Sequence, residues 1–149
     1  MFLRVLSASI LLALAGCASA PPAPVAAPSG SADRAAAHAA KMVGKPYRYG
    51  GASPSGFDCS GLVQFSYRQA GVAVPRSTEE QLRASKPVRG SMRRGDLLFF
   101  DQEGKKKSHV GLYLGNGKFV HAPSSGKRVR TDTLDAKYWK KHLAEVRRI

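Results

Sequence analysis

Cysteine is scarce: the 149 residues hold two, Cys17 and Cys59. That excludes a disulfide-stapled scaffold, and no Cys/His spacing of the usual zinc-ligand kind appears. Acidic residues are scarce too, 10 against 24 Lys and Arg, for a formal net charge of +14. No internal repeat is visible, which argues against solenoids and arrays. Long apolar runs are missing except at residues 5–14, and that run is too short to cross a bilayer.

What is present begins with a leader. Arg4 precedes the apolar run, the form of a secretory signal. The run ends Leu14-Ala15-Gly16-Cys17, which resembles the lipobox of bacterial lipoproteins. That resemblance implies removal of residues 1–16, with lipid on the Cys17 sulfur and on the new amino terminus. The alternative is an ordinary secretory signal cut after Ala18-Ser19-Ala20. Under the sorting rule for such lipoproteins, Ala18 in place of an acidic residue favours the outer membrane, facing the periplasm. If Cys17 carries lipid, Cys59 has no partner for an intrachain disulfide. A free thiol in an oxidising compartment is a liability unless it is buried or useful. Excess basic charge often marks nucleic-acid binding. Export argues against nucleic acid here and points to anionic envelope material, peptidoglycan stems and phosphorylated lipids.

Residues 17–32, rich in Pro, Ala and Ser, cannot bury a core and read as an extended tether reaching on the order of 45 Å. Residues 33–149 have the size of one compact domain. Asp33 is placed to cap a helix through Met42, with Ala36, Ala40 and Val43 on one stripe and Gly44 as its stop. Residues 50–61, GGASPSGFDCSG, loosen the backbone up to Phe57, and helical periodicity follows. Leu62, Val63, Ser66, Tyr67 and Ala70 share a face, and Gly71 stops the helix. Ser77 or Thr78 can cap a short helix ending at Ala84. Arg94-Gly95-Asp96 reads as a turn before an apolar strand, with Asp96 stabilising it, and Lys105-Lys106-Lys107 as an exposed loop. The tail reads as a short strand near Val129, a helix over residues 136–142 and a last strand near residues 144–148. His38 and His142 read as solvated.

Cys59 falls at or just before a helix N-terminus, where unpaired N–H groups and the dipole favour a thiolate. His109 can take the thiol proton so that sulfur attacks a carbonyl. His121 is placed as a third member that orients the His109 ring, with Asp101 competing for that role. Whether the histidines meet depends on hairpin register. A two-residue turn at Asn116-Gly117 pairs Leu112 with His121 and puts the rings on opposite faces. A three-residue loop over residues 115–117 pairs Gly111 with His121 and Tyr113 with Phe119, and puts both rings on one face. The second register is predicted, because Gly117 supplies the positive φ the longer loop needs. Gly111 has no side chain and clears space beside the rings. A tetrahedral intermediate needs oxyanion donors, and the Cys59 N–H and the Tyr47 hydroxyl are available.

Four segments carry a close resemblance: Tyr47-Arg48-Tyr49-Gly50-Gly51, Phe57-Asp58-Cys59-Ser60-Gly61-Leu62-Val63, Arg94-Gly95-Asp96-Leu97-Leu98-Phe99-Phe100, and His109-Val110-Gly111-Leu112-Tyr113-Leu114-Gly115 followed by His121-Ala122. In order and spacing they resemble the NlpC/P60 family over residues 33–149. The resemblance implies a papain-like α+β fold: a central antiparallel sheet with the nucleophile at the N-terminus of a packed helix. It implies a cysteine peptidase acting on peptidoglycan stems, with no cofactor and no metal. Carried across, Cys59 is the nucleophile, His109 the base, His121 the orienting residue and Tyr47 the oxyanion-side hydroxyl. Asp58 and Ser60, and more loosely Arg76 and Ser77, match substrate-contacting positions. Tether and lipobox resemble the family's outer-membrane lipoprotein branch, so the membrane is reached through the lipid anchor. No appended wall-binding domain is seen, and targeting would rest on lipid and charge. Nothing in the residues specifies a regulatory adaptor or protease.

Four other readings compete. Cys59 could be a core residue, or a Cys-His-His set could hold zinc. The fold could serve as a non-catalytic wall-binding lipoprotein, or the thiol as an acyltransferase or amidase.

Overall fold

The computed structural model describes residues 30–149; the leader, Cys17 and nearly all of the tether lie outside the described residues. The first helix, α1, spans Ser31–Lys41. A small hairpin follows, β1 over Ala52–Ser53 and β2 over Gly56–Phe57, and leads straight into α2, Cys59–Gln69. Next come α3 over Thr78–Ala84, β3 over Lys86–Pro87, β4 over Leu97–Gln102 and β5 over Lys105–Gly115. The chain closes with β6, Lys118–His121, β7, Arg130–Thr133, α4, Lys137–His142, and β8, Leu143–Arg148. Six strands form one antiparallel sheet in the order β3-β8-β4-β5-β6-β7. This is the α+β architecture expected.

Both faces of that sheet are covered, which explains the unbroken apolar run of β4, where Leu97, Leu98, Phe99 and Phe100 are all fully buried. On one face, Leu97, Phe99, Val110, Leu112 and Val120 pack with Leu62, Val63 and Tyr67 of α2 and Ala35 and Ala39 of α1. On the other, Leu98, Phe100, Tyr113 and Phe119 pack with Leu134 and with Trp139 of α4. The periodic face of α2 is buried as its spacing predicts, and Gly71, at φ +83°, ends it.

Three local expectations are corrected. Gly30, not Asp33, caps α1, so the helix starts three residues upstream and Asp33 falls in its first turn. Its buried stripe is Ala35, Ala36 and Ala39, while Val43 is 48% exposed. The three lysines at 105–107 belong to β5, extending a hairpin whose turn lies at 103–104. The β5–β6 register is the one predicted, with Leu112 opposite Val120 and Tyr113 opposite Phe119, but it is reached differently. Gly115 opposes Lys118 across a two-residue turn in which Asn116 and Gly117 have φ of 52° and 71°, the doubly left-handed pattern of a type I′ turn. A bulge between Tyr113 and Gly115 then absorbs one residue and restores the register.

One close approach fixes the loop before α2. A Cβ on Gly61 would lie 1.9 Å from the Gly51 carbonyl oxygen and 2.8 Å from Asp58 Oδ1. Both neighbours are held, since Gly51 O accepts from the Asp58 N–H at 3.0 Å and Asp58 Oδ1 from the Gly61 N–H at 2.7 Å. Gly61→Ala is therefore expected to lower stability by about 2–3 kcal/mol, read as a reduced guanidinium midpoint; an unchanged midpoint would contradict this packing.

Candidate active site

Asp58 makes the start of α2. Its backbone is extended, and its side chain accepts from the Gly61 N–H, capping the helix and leaving Cys59 as the first helical residue. The second Asp58 oxygen accepts from the Gly50 N–H at 2.9 Å and pairs with the Arg76 guanidinium at 2.7 Å. Arg76 also donates to Ser60 Oγ at 2.9 Å. Asp58, Ser60 and Arg76 are thus one network. Ser77 caps α3 in a capping box with Glu80. These four residues line a cavity of about 510 Å³ together with Tyr47 and Cys59. A contiguous cavity of about 310 Å³ is lined by Tyr47, Cys59, Ser108 and His109 among others. Tyr47, Asp58, Cys59, Ser60, Arg76, Ser77 and His109 therefore border one cleft, while His121 and Asp101 do not line it.

The two histidines project from the sheet face opposite α2, toward Trp139, as the alternation of β5 and β6 requires. His109 Nε2 lies 2.8 Å from His121 Nδ1. Both rings are buried, with Trp139 at 5.9 Å from the first and 4.8 Å from the second, centroid to centroid. With Nε2 engaged, Nδ1 is the His109 nitrogen left for the thiol. The two imidazoles bond to each other rather than converging on a shared point, which disfavours the zinc reading. Cys59 meets this strand from the helix side. Its sulfur lies 3.7 Å from the Thr78 hydroxyl, and the backbone N–H groups of Val110 and Ser60 also stabilise its charged form.

Asp101 accepts from the Lys107 N–H at 2.7 Å, and His121 Nε2 instead meets Asp132 Oδ2 at 2.9 Å. Asp101 is thus corrected as a candidate orienter. Asp132 also receives Arg130 Nε at 3.0 Å and Nη2 at 2.9 Å, and Trp139 Nε1 at 3.0 Å. The sequence reading missed it, because β7 must pair with β6, His121 opposite Arg130 and Phe119 opposite Asp132, before the carboxylate stands diagonal to the ring. Asp96 stabilises its turn as expected, accepting from the Arg93 N–H at 2.7 Å, and it also pairs with Arg148. His142 is half-buried rather than solvated, its ring stacked on Tyr138.

Burial dominates the electrostatics. It pushes the Cys59 thiol up, against the lowering by the Val110 N–H and the Thr78 hydroxyl. The expected bias toward a thiolate is therefore overridden in the resting site. Burial lowers His109, as does the neighbouring His121. It also lowers His121 to about 4, against the Asp132 hydrogen bond. Burial raises Asp132, but hydrogen bonds from His121 and Arg130 outweigh it and leave that carboxyl low. Tyr47 is raised by burial and by Cys59, so its phenol keeps its proton and donates. These directions leave the thiol and both imidazoles uncharged near neutral pH, with the Asp132 carboxylate behind His121.

The model of the NlpC/P60 family matches residues 44–148. The chain belongs to that family. Over 108 residues, 71% of this chain, it is 45% identical to the murein DD-endopeptidase MepS/murein LD-carboxypeptidase of Escherichia coli (strain K12), covering 56% of that protein. Over 128 residues, 84% of this chain, it is 41% identical to the γ-D-glutamyl-L-lysine dipeptidyl-peptidase of Bacillus subtilis (strain 168), covering 43% of it. The chain thus spans about half the length of these relatives. Its fold matches the crystal structure of an NLP/P60-family protein similar to lipoprotein from Staphylococcus aureus at a TM-score of 0.71 and 33% identity, over 87% of this chain and 45% of that one.

The buried histidines tie stability to pH. An unfolded histidine takes a proton near pH 6.5, whereas folded His109 and His121 resist it down to about pH 3 and about pH 4. The unfolded state then binds more protons, so stability is full above about pH 6.5 and is lost as pH falls toward 4. Melting temperature should decline across that window, and less steeply in His121→Asn; equal slopes would show that His121 does not titrate this way.

Proposed function

We propose that this protein is a cysteine-type peptidoglycan endopeptidase. The observation that carries the reading is a thiol at the capped start of α2 sharing a cleft with His109, whose far nitrogen is hydrogen-bonded to His121. The Cys59 proton passes to His109 Nδ1 and the sulfur attacks the peptide carbonyl. The Cys59 N–H and the Tyr47 hydroxyl receive the oxyanion. His109 then protonates the leaving amine, and water resolves the thioester with His109 as base. Burial keeps the imidazole neutral at rest, the form a base needs. Asp58, Ser60, Arg76 and Ser77 border the larger cavity and offer a cation and hydroxyls to a stem peptide bearing carboxylates and amines.

Two bonds fit this chemistry: the D-Ala–meso-diaminopimelate cross-link between stems, and the γ-D-Glu–meso-diaminopimelate bond within one. The relatives point both ways, one being a murein DD-endopeptidase and LD-carboxypeptidase and the other a γ-D-glutamyl-L-lysine dipeptidyl-peptidase. The lipobox-like leader favours the cross-link, with the protein held by lipid at Cys17 on the outer membrane and cutting in the periplasm during wall remodelling.

Mass spectrometry of defined cross-linked and uncross-linked muropeptides decides the bond. Loss of cross-linked dimers with intact monomers is expected; cleavage of monomers alone would reassign the bond, and released amino sugars without new stem ends would remove the reading. Cys59→Ser should fold normally and lose turnover by roughly 10⁴-fold or more, and His109→Ala should lose more than His121→Ala. An active Cys59→Ser variant would take the thiol out of the reaction, and wild type that binds sacculi without forming product would make the protein a wall-binding module. Cys17→Ser should move the protein from the membrane to the soluble periplasmic fraction; unchanged membrane association would remove the lipid anchor.

A further inference from the structure

We propose that Asp132 is a positioning residue: acting through His121, it dictates which nitrogen of the His109 ring carries the proton and leaves Nδ1 free as the base for the Cys59 thiol. The inference rests on the thiol–imidazole chemistry proposed above and adds the group that sets its direction.

The argument is one of donors and acceptors. Arg130 Nε, Arg130 Nη2 and Trp139 Nε1 can only donate, and all three converge on Asp132 Oδ2 within 3.0 Å. The carboxylate that satisfies them is an acceptor only, so His121 Nε2, 2.9 Å from the same oxygen, must carry hydrogen. A neutral imidazole carries one N–H, which makes His121 Nδ1 a lone pair. His109 Nε2, 2.8 Å from that lone pair, must then be the donor. Its own single hydrogen is thereby spent, and His109 Nδ1 is left bare. Each step is forced by the one before.

Without Asp132 the chain can run backwards. His121 Nδ1–H would donate to His109 Nε2, and His109 Nδ1 would carry the hydrogen. A ring in that tautomer cannot accept a proton from sulfur, although no atom need move. The carboxylate also stands ready for the charged state: when the Cys59 S–H bond breaks and an Nδ1–H bond forms, the His109 imidazolium gives its Nε2–H to His121, whose far side faces a negative charge. The surroundings keep Asp132 in place. Arg130 grips it from the same strand, and Trp139, with a 6% exposed side, shields the imidazole pair from water that would supply competing hydrogen bonds.

Tautomers are read directly from long-range ¹H–¹⁵N correlations on ¹⁵N-histidine-labelled full-length protein, with no substrate present. Wild type at neutral pH should show His109 and His121 both protonated at Nε2; a His109 protonated at Nδ1 overturns the proposal. Asp132→Asn still presents a carbonyl oxygen to the three fixed donors, so it should keep the tautomers and lose less activity. Asp132→Ala should populate the reversed tautomer and slow iodoacetamide alkylation of Cys59, followed at its tryptic peptide by mass spectrometry. On muropeptides it should lower kcat by roughly 10–100-fold with KM nearly unchanged, short of the ~10⁴-fold seen when an aspartate touches the catalytic base directly. Unchanged alkylation and kcat in a folded Asp132→Ala variant would reduce the residue to a structural ion pair. Alkylation and tautomer are measured without peptidoglycan, so they test Asp132 even if the substrate assignment fails, while a wild type with the expected tautomers but no muropeptide product would sink only that assignment.

Discussion

The contact on which the site depends is between two imidazoles, His109 Nε2 and His121 Nδ1, 2.8 Å apart on adjacent strands. It exists only because β5 and β6 pair with Tyr113 opposite Phe119. Side chains alternate faces along a strand, so a slip of one residue would carry His121 to the side where Val120 and Ala122 now join the core shared with α1 and α2. The bulge ahead of the turn at Asn116-Gly117 sets that register. Gly111 opens the space: a Cβ there would come within 2.8 Å of the Phe119 ring and 3.4 Å of His121 Cβ. A turn, a bulge and a missing side chain thus act together on one hydrogen bond.

What was legible in the sequence was local. The loop before α2, the placement of Cys59 at its start and the face of apolar residues after Cys59 all lie within about three helical turns, where spacing and turn chemistry speak directly. The hairpin register was also readable, though through the wrong turn; a two-residue loop plus a bulge and a three-residue loop place the histidines alike. The face of α1 was not readable, because an alanine-rich helix is nearly uniform in apolarity and packing against α2 chooses the stripe. Asp132 was the larger miss. In Arg130-Thr131-Asp132-Thr133 it looks like one charge in a polar edge strand, and its role comes from pairing with β6 across a connecting loop and from the Trp139 indole of the next helix.

The two halves of the cleft solve opposite electrostatic problems. On the helix side, an aspartate adjoins the nucleophile, and a bare negative charge there would oppose ionisation of the thiol. Asp58 is engaged on both oxygens, capping α2 with one and held by Arg76 and the Gly50 N–H on the other. Its field at the sulfur is partly neutralised while its capping function is kept. On the sheet side a negative charge is wanted, behind the rings proposed to receive the proton, and Asp132 supplies it at one imidazole's remove from His109. Arg130 compensates this carboxylate as well.

That pairing of each carboxylate with an arginine gives the acid-poor composition a local meaning. In a chain with 24 basic and 10 acidic residues, a free carboxylate near the thiol would be the exception. Burial then sets the resting state, because it penalises any charge on Cys59, His109 and His121 alike. A thiolate–imidazolium pair at rest would have to overcome that penalty twice. In the proposed reaction, substrate would remove the obstacle by bringing a carbonyl to the sulfur as the proton leaves, so that negative charge passes onward to the oxyanion donors instead of accumulating on sulfur. The same burial that suppresses the resting ion pair also protects the free thiol from oxidation, which proceeds through the thiolate. In the proposed reaction, reactivity would thereby be confined to the moment when a peptide occupies the cleft.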